Sequence, residues 1–213
     1  MASSKYPVKK YTCPIQIKCL SCKHEENTTL GRISIVDYEG EVLCDVIVKP
    51  EGEICDYRTK WSGIREEDMS HAIPYSYVRE RVEKIIHNRI VIGHMLKNDF
   101  AVLNMKHPPH LVRDTCRVPY PKLLAGFSTK PQIGLRALTL RLFGINIQNA
   151  EHCSIEDARA SMAIYRLVQD VWEADLLKTN NKQFLKHHSN DHYKSICYTD
   201  NCQEDITSSS SLS

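Results

Sequence analysis

Arg32-Ile-Ser-Ile-Val-Asp-Tyr-Glu-Gly-Glu-Val-Leu-Cys-Asp-Val-Ile-Val48 decides the architecture. Both halves alternate apolar and polar residues, the period of a strand with one buried face, and Glu39-Gly40 lies between them as a turn. The stretch reads as a β-hairpin. Upstream, Ile15 and Ile17 alternate in the same way and predict a neighbouring strand. Downstream the period changes. Val78, Val82, Ile85 and Ile86 share one face of a helix from Tyr75 to His87, with Pro74 at its start. Ile90-Val-Ile-Gly93 is a short buried strand, and Lys97 to Met105 reads as a helix. Residues 51–72 and 117–133 read as loops. Leu135, Leu138 and Leu142 mark a helix that Gly144 stops. Ser154 to Leu176 is the longest helix, with Met162, Tyr165, Val168 and Trp172 along one face. A hairpin beside a strand, then strands alternating with helices, gives an α/β fold with a mixed sheet.

The 213 residues are 42% hydrophobic and 25% charged, enough apolar surface for a core. No stretch approaches the ~20 apolar residues that span a bilayer, so no membrane association is expected. The opening Met-Ala-Ser-Ser-Lys-Tyr-Pro lacks the apolar centre of a secretory signal. Nine cysteines without such a signal read as reduced thiols, with Cys44 and Cys116 as small core hydrophobes. After about residue 177 Asn, His, Lys and Ser dominate, a composition that reads as a disordered polar tail over 177–213. The net charge of +2 neither demands nor excludes nucleic acid.

Three polar residues stand out by position. Asp99 follows the buried strand and opens a helix, where a carboxylate faces the end of the sheet that binds ligands in α/β proteins. Its plainer role is to complement the helix dipole. His152 precedes the long helix and Asp157 lies in its first turn, where a base and a metal-binding carboxylate can converge. Ser154-Ile-Glu-Asp157 also reads as a capping box, which accounts for Asp157 without metal. Cys13, Cys19, Cys22 and His24 offer four soft ligands. A single C-x-x-C with a short His arm is a common chance spacing, and zinc is not expected there.

Taken together, two of these segments are far more specific. Gly93-His-Met-Leu-Lys-Asn-Asp-Phe100 and His152-Cys-Ser-Ile-Glu-Asp-Ala-Arg-Ala160 resemble the second and third motifs of the DEDDh 3′-to-5′ exonucleases. Within them the chain resembles the group of RNA exonuclease 4, interferon-stimulated exonuclease and apoptosis-enhancing nuclease. Asp56-Tyr-Arg-Thr-Lys-Trp-Ser-Gly-Ile64 and Tyr165-Arg-Leu-Val-Gln-Asp-Val-Trp-Glu173 resemble the last of these most. The resemblance covers residues 30–176. It implies an RNase H-like mixed sheet flanked by helices, and action on single-stranded RNA or DNA in the nucleus or nucleolus. It also implies two divalent ions, Mg or Mn, held by four carboxylates that stabilise an in-line displacement. Asp99 and Asp157 match two of those carboxylates, His152 the general base, and Arg58 and His94 substrate-binding positions.

The first motif departs from the family. An Asp-x-Glu pair belongs on the first strand, yet residues 1–24 contain no acidic residue and five lysines. Matching cysteine to cysteine puts Lys18 and Leu20 at the acidic positions. Residues 1–29 therefore read as an atypical segment that replaces the motif, either in a non-catalytic relative or as an alternative or mis-joined exon. Two missing carboxylates leave a weak Mg or Mn site and impaired catalysis. Three readings stay open: an exonuclease with a disguised first motif, a non-catalytic nucleic-acid-binding module, and a protein-interaction module.

Overall fold

The computed structural model describes residues 12–22, 25–127 and 132–196, and of residues 25–27 and 180–196 only the backbone. Two compact units divide the chain, Met1–Asp170 and Val171–Ser213.

The first unit is built on a seven-stranded mixed sheet. β1 (Thr12–Cys22), β2 (Glu25–Val36) and β3 (Val42–Lys49) form an antiparallel meander. The predicted hairpin turn is present. The Asp37 carboxylate accepts the Glu39 and Glu41 amides at 3.0 and 2.8 Å, and Gly40 takes the left-handed φ of 94° that the turn needs. β4 (Ile54–Asp56) pairs with the far end of β1, and β5 (Ile73–Pro74) runs parallel to β3. On its other edge β1 pairs in parallel with β6 (Ile90–Gly93), and β6 in parallel with β7 (Val112–Asp114).

Helices cover the sheet. α1 (Thr59–Ser62) is a single turn and α2 (Tyr75–Ile86) the first full helix. Val78, Val82 and Ile86 of α2 pack in one core with Ile15, Ile33, Ile35 and Val91. α3 (Leu96–Val102), α4 (Pro119–Leu124), α5 (Leu135–Phe143) and α6 (Ser154–Ile196) follow. Leu135 and Leu138 of α5 join Ala160 and Ile164 of α6 in a second core.

Several short elements correct the sequence reading. The loop expected over 51–72 contains β4, α1 and a 3-10 turn at Glu66–His71, and that over 117–133 contains α4. Segments of three to six residues are too short to show a period. β5 and β7 exist because neighbouring strands offer them partners. The last stretch of α6, to Ile196, lies within the segment whose composition reads as a polar tail, and is described in backbone only. Residues 197–213 lie outside the described residues.

Candidate functional site

The middle of β1, the starts of α3, α5 and α6 and the turn before α1 line a cleft of about 600 Å³. That volume lies within the range of small-ligand sites, roughly 300–1,000 Å³. Lys18, Arg58, His94, His152 and Asp157 all line it. Asp99 is buried beside it, bonded to the Ile17 backbone. The structure thus brings together residues far apart in sequence. A slightly larger cleft, about 670 Å³ and bounded by Glu51, Glu53 and Tyr75, holds none of them.

The local backbone marks the same place. Among the described residues five non-glycine residues have positive φ, and two of them are asparagines, which tolerate it. The other three, Arg58, Met95 and Gln148 at φ 48°, 69° and 59°, all line this cleft. Backbone strain of this kind concentrates at functional sites.

Lys18 is the central finding. Its ammonium donates to Asp157 Oδ2 at 2.5 Å, and both side chains are almost fully buried. The other Asp157 oxygen accepts the Gln148 amide at 2.8 Å. The capping-box account of Asp157 does not hold, because the Ser154 hydroxyl bonds Ser34 at 2.6 Å and the Asp157 carboxylate faces the cleft. Gln148 was invisible in sequence, since a lone glutamine in a turn carries no signal.

Burial pushes the Asp99 carboxyl up to about 8, helped by the neighbouring Asp114 carboxylate, against the lowering effects of the Ile17 hydrogen bond and Lys18. Asp114 itself is structural: it accepts the Met95, Leu96 and Cys116 amides at 2.9, 3.1 and 3.0 Å and closes the start of α3.

The two histidines differ. His94 is 8% exposed, with Nε2–H donating to the Ile133 carbonyl at 2.8 Å and Nδ1 against the Thr115 hydroxyl at 2.9 Å. Both ring nitrogens are engaged within the protein, so the ring braces the cleft wall. His152 is partly exposed at the cleft. Burial first, then the Lys18 ammonium, hold its imidazole below the ordinary value, against Asp157, which raises it. It is neutral at pH 7. Arg58 caps the start of α1, its amide donating to Asp56 Oδ1 at 2.7 Å and its guanidinium carbon 6.0 Å from the Trp61 ring centre.

This donor set does not fit a two-metal centre. Both Asp157 oxygens are engaged, and β1 presents an ammonium where an ion would need carboxylates. Among the described residues no group of three His, Cys, Asp or Glu side chains is placed to hold a metal. Leu20 does not reach the cleft. It is fully buried, and with Ile64 it fills the space that a β-carbon on Gly31 would need. The thiols of Cys13 and Cys19 sit six residues apart on the extended β1, about 20 Å at strand rise, too far to share one zinc ion. His24 lies outside the described residues.

Comparison with known proteins decides the family. The sequence profile of the family described as Exonuclease matches residues 10–165. The chain belongs to the exonuclease family. Interferon-stimulated 20 kDa exonuclease-like 2 of Bos taurus is 40% identical over 157 residues, covering 73% of this chain and 45% of that protein. Human apoptosis-enhancing nuclease is 38% identical over 174 residues, covering 77% and 54%. RNA exonuclease 4 of Cryptococcus neoformans is 40% identical over 145 residues, covering 68% and 35%. The chain thus spans about half or less of the length of these relatives. Among solved structures, the pseudoubiquitin hydrolase–RNA exonuclease module of Saccharomyces cerevisiae Pan2 in complex with AAUUAA RNA superposes with a TM-score of 0.65 at 27% identity. That match covers 85% of this chain and 32% of that one. The exonuclease family uses divalent metals, which sharpens the contrast with the donor set here. No helix among the described residues is long and apolar enough to cross a membrane.

Proposed function

We propose that this member of the exonuclease family binds single-stranded nucleic acid, RNA in the first place, with its own 3′-to-5′ hydrolysis impaired. The observation that carries the reading is the buried Lys18–Asp157 pair at 2.5 Å. A fixed ammonium supplies positive charge inside the cleft, but it neither polarises nor deprotonates a water as a divalent ion does. His152 is neutral and able to accept a proton, yet it has no ion-activated water to take it from. Mg and Mn bind weakly because an ion must first break the ion pair. The cleft keeps Arg58 and Lys18 for phosphate and ribose groups, and a fold neighbour carries RNA. A nuclear or nucleolar setting goes with the same reading.

The test uses a labelled single-stranded RNA in Mg²⁺ and in Mn²⁺. The expected result is binding that weakens as salt rises, with almost no trimming, because phosphate contacts release counterions. Trimming at rates usual for nucleases, abolished by Asp157→Asn, would overturn the impaired-catalysis reading. Absence of salt-dependent binding would overturn the nucleic-acid reading and leave a protein-interaction module.

A further inference from the structure

Trp61 has no task in the fold. It is 54% exposed, although the residue after it, Ser62, is 1% exposed. Its ring stands at the edge of the cleft that holds the Lys18–Asp157 pair. Two cations lie against it, the Arg58 guanidinium carbon at 6.0 Å and Lys60 Nζ at 5.5 Å from the ring centre. An exposed tryptophan costs hydrophobic free energy unless something covers it.

The turn that carries it is rigid. The Trp61 and Ser62 amides donate to the Arg58 carbonyl at 2.8 and 2.9 Å, and the Gly63 amide to the Thr59 carbonyl at 2.8 Å. The Ser62 hydroxyl donates to the Tyr57 carbonyl at 2.6 Å and the Thr59 hydroxyl to the Ile64 carbonyl at 2.7 Å. Arg58 is held in the left-handed region at φ 48°, a strain this bonding maintains. The turn thus holds the Trp61 backbone at the cleft edge, and its ring lies beside a cationic rim.

A flat aromatic plate, two flanking cations and a polar cleft form the combination that binds single strands: the ring stacks a base and the cations meet its phosphates. We infer that Trp61 is a base-stacking platform that receives a nucleotide of a single strand at the mouth of the cleft, with Arg58 and Lys60 contacting the adjoining phosphates. This deepens the proposed function and rests on its nucleic-acid part. Because every base has a π-face, the platform accepts all four bases with little preference.

The test titrates hexa-adenylate RNA into the full chain in EDTA and reads tryptophan fluorescence and fluorescence anisotropy. The chain has two tryptophans, and Trp172 is buried, so quenching reports on Trp61. Binding should quench the emission, and Trp61→Phe should abolish most of the quench while binding persists. Trp61→Ala should weaken binding roughly five- to a hundred-fold, the range for loss of one stacked base. The salt slope should stay unchanged in Trp61→Ala and shrink in Lys60→Ala, which separates stacking from phosphate contact. Wild-type affinity and a native circular dichroism spectrum in Trp61→Ala, or saturation without quenching in the wild type, would overturn the platform while leaving the proposed function standing. If the wild type binds no single strand, both fall together.

Discussion

Lys18 and Asp157 depend on each other. Removing one partner of a buried ion pair leaves a charge that the interior cannot solvate, at about 3–5 kcal/mol. Lys18→Met is expected to lower stability by about that much, and Lys18→Met with Asp157→Asn to recover most of it. Urea denaturation of the four species closes the cycle, and simple additivity would show that the pair is not coupled. His94 gives a pH prediction. Burial holds its imidazole below the ordinary value, against the raising effects of the Ile133 hydrogen bond and of Asp114 and Asp157. As pH falls below about 6.5 the unfolded chain takes up a proton that the native chain refuses. The His94 contribution is therefore full above that pH and is lost as pH falls toward the folded value, while the raised Asp99 carboxyl contributes in the opposite sense over the same window. The difference between thermal melts of the wild type and of His94→Asn from pH 7.5 to 5 isolates the histidine: the wild type should lose stability relative to the variant as pH falls, on top of a pH-independent cost of the lost hydrogen bonds in His94→Asn.

At the scale of the element, β1 decides what the cleft can do. The pairing of β1 with β2 shifts register between Lys18 and Cys19, opposite Gly31. Lys18 faces the cleft while Leu20 is packed in the core over Gly31. Writing the missing acids in as Lys18→Asp with Leu20→Glu would therefore fail. A glutamate in place of a fully buried leucine loses the packing and buries a charge, a loss of roughly 3–5 kcal/mol or more. Leu20→Glu alone should show it as a large drop in melting temperature. Replacing residues 13–29 as a unit by a strand and loop of the family type with Asp-Cys-Glu should instead yield metal-dependent trimming. Each ~1.4 kcal/mol of added transition-state stabilisation is tenfold in rate. The gain should vanish on Asp99→Asn in the same background. A folded graft that binds Mn²⁺ and trims nothing would show that the cleft lacks more than its first motif.

For the whole molecule, the distribution of thiols follows burial. Cys13, Cys44 and Cys116 are buried, and burial pushes the Cys13 thiol up to about 12. Cys55 and Cys153 are exposed. Iodoacetamide under native conditions should modify Cys55 and Cys153 and spare the buried three until the chain is unfolded, because the thiolate is the nucleophile. Peptide mapping by mass spectrometry reads the pattern, and early labelling of Cys13 would mean that β1 does not sit in the sheet as described.

The main elements were legible because their periods are long enough to register: the hairpin by alternation, α2, α5 and the start of α6 by apolar residues three and four apart. β5, β7, α1 and α4 were not, because elements of two to six residues are stabilised by the partners they find rather than by a pattern of their own. The sequence by itself determined the mixed α/β fold, the resemblance to exonucleases and the absence of acidic residues ahead of Glu25. Only the tertiary structure decided that Lys18 reaches Asp157 across 139 positions, that Gln148 holds the other oxygen, that Leu20 turns into the core, and that Trp61 stands exposed at the cleft. Each depends on where a side chain points after the strand register and helix packing are set, and that direction is a property of the assembled sheet rather than of any local stretch of chain.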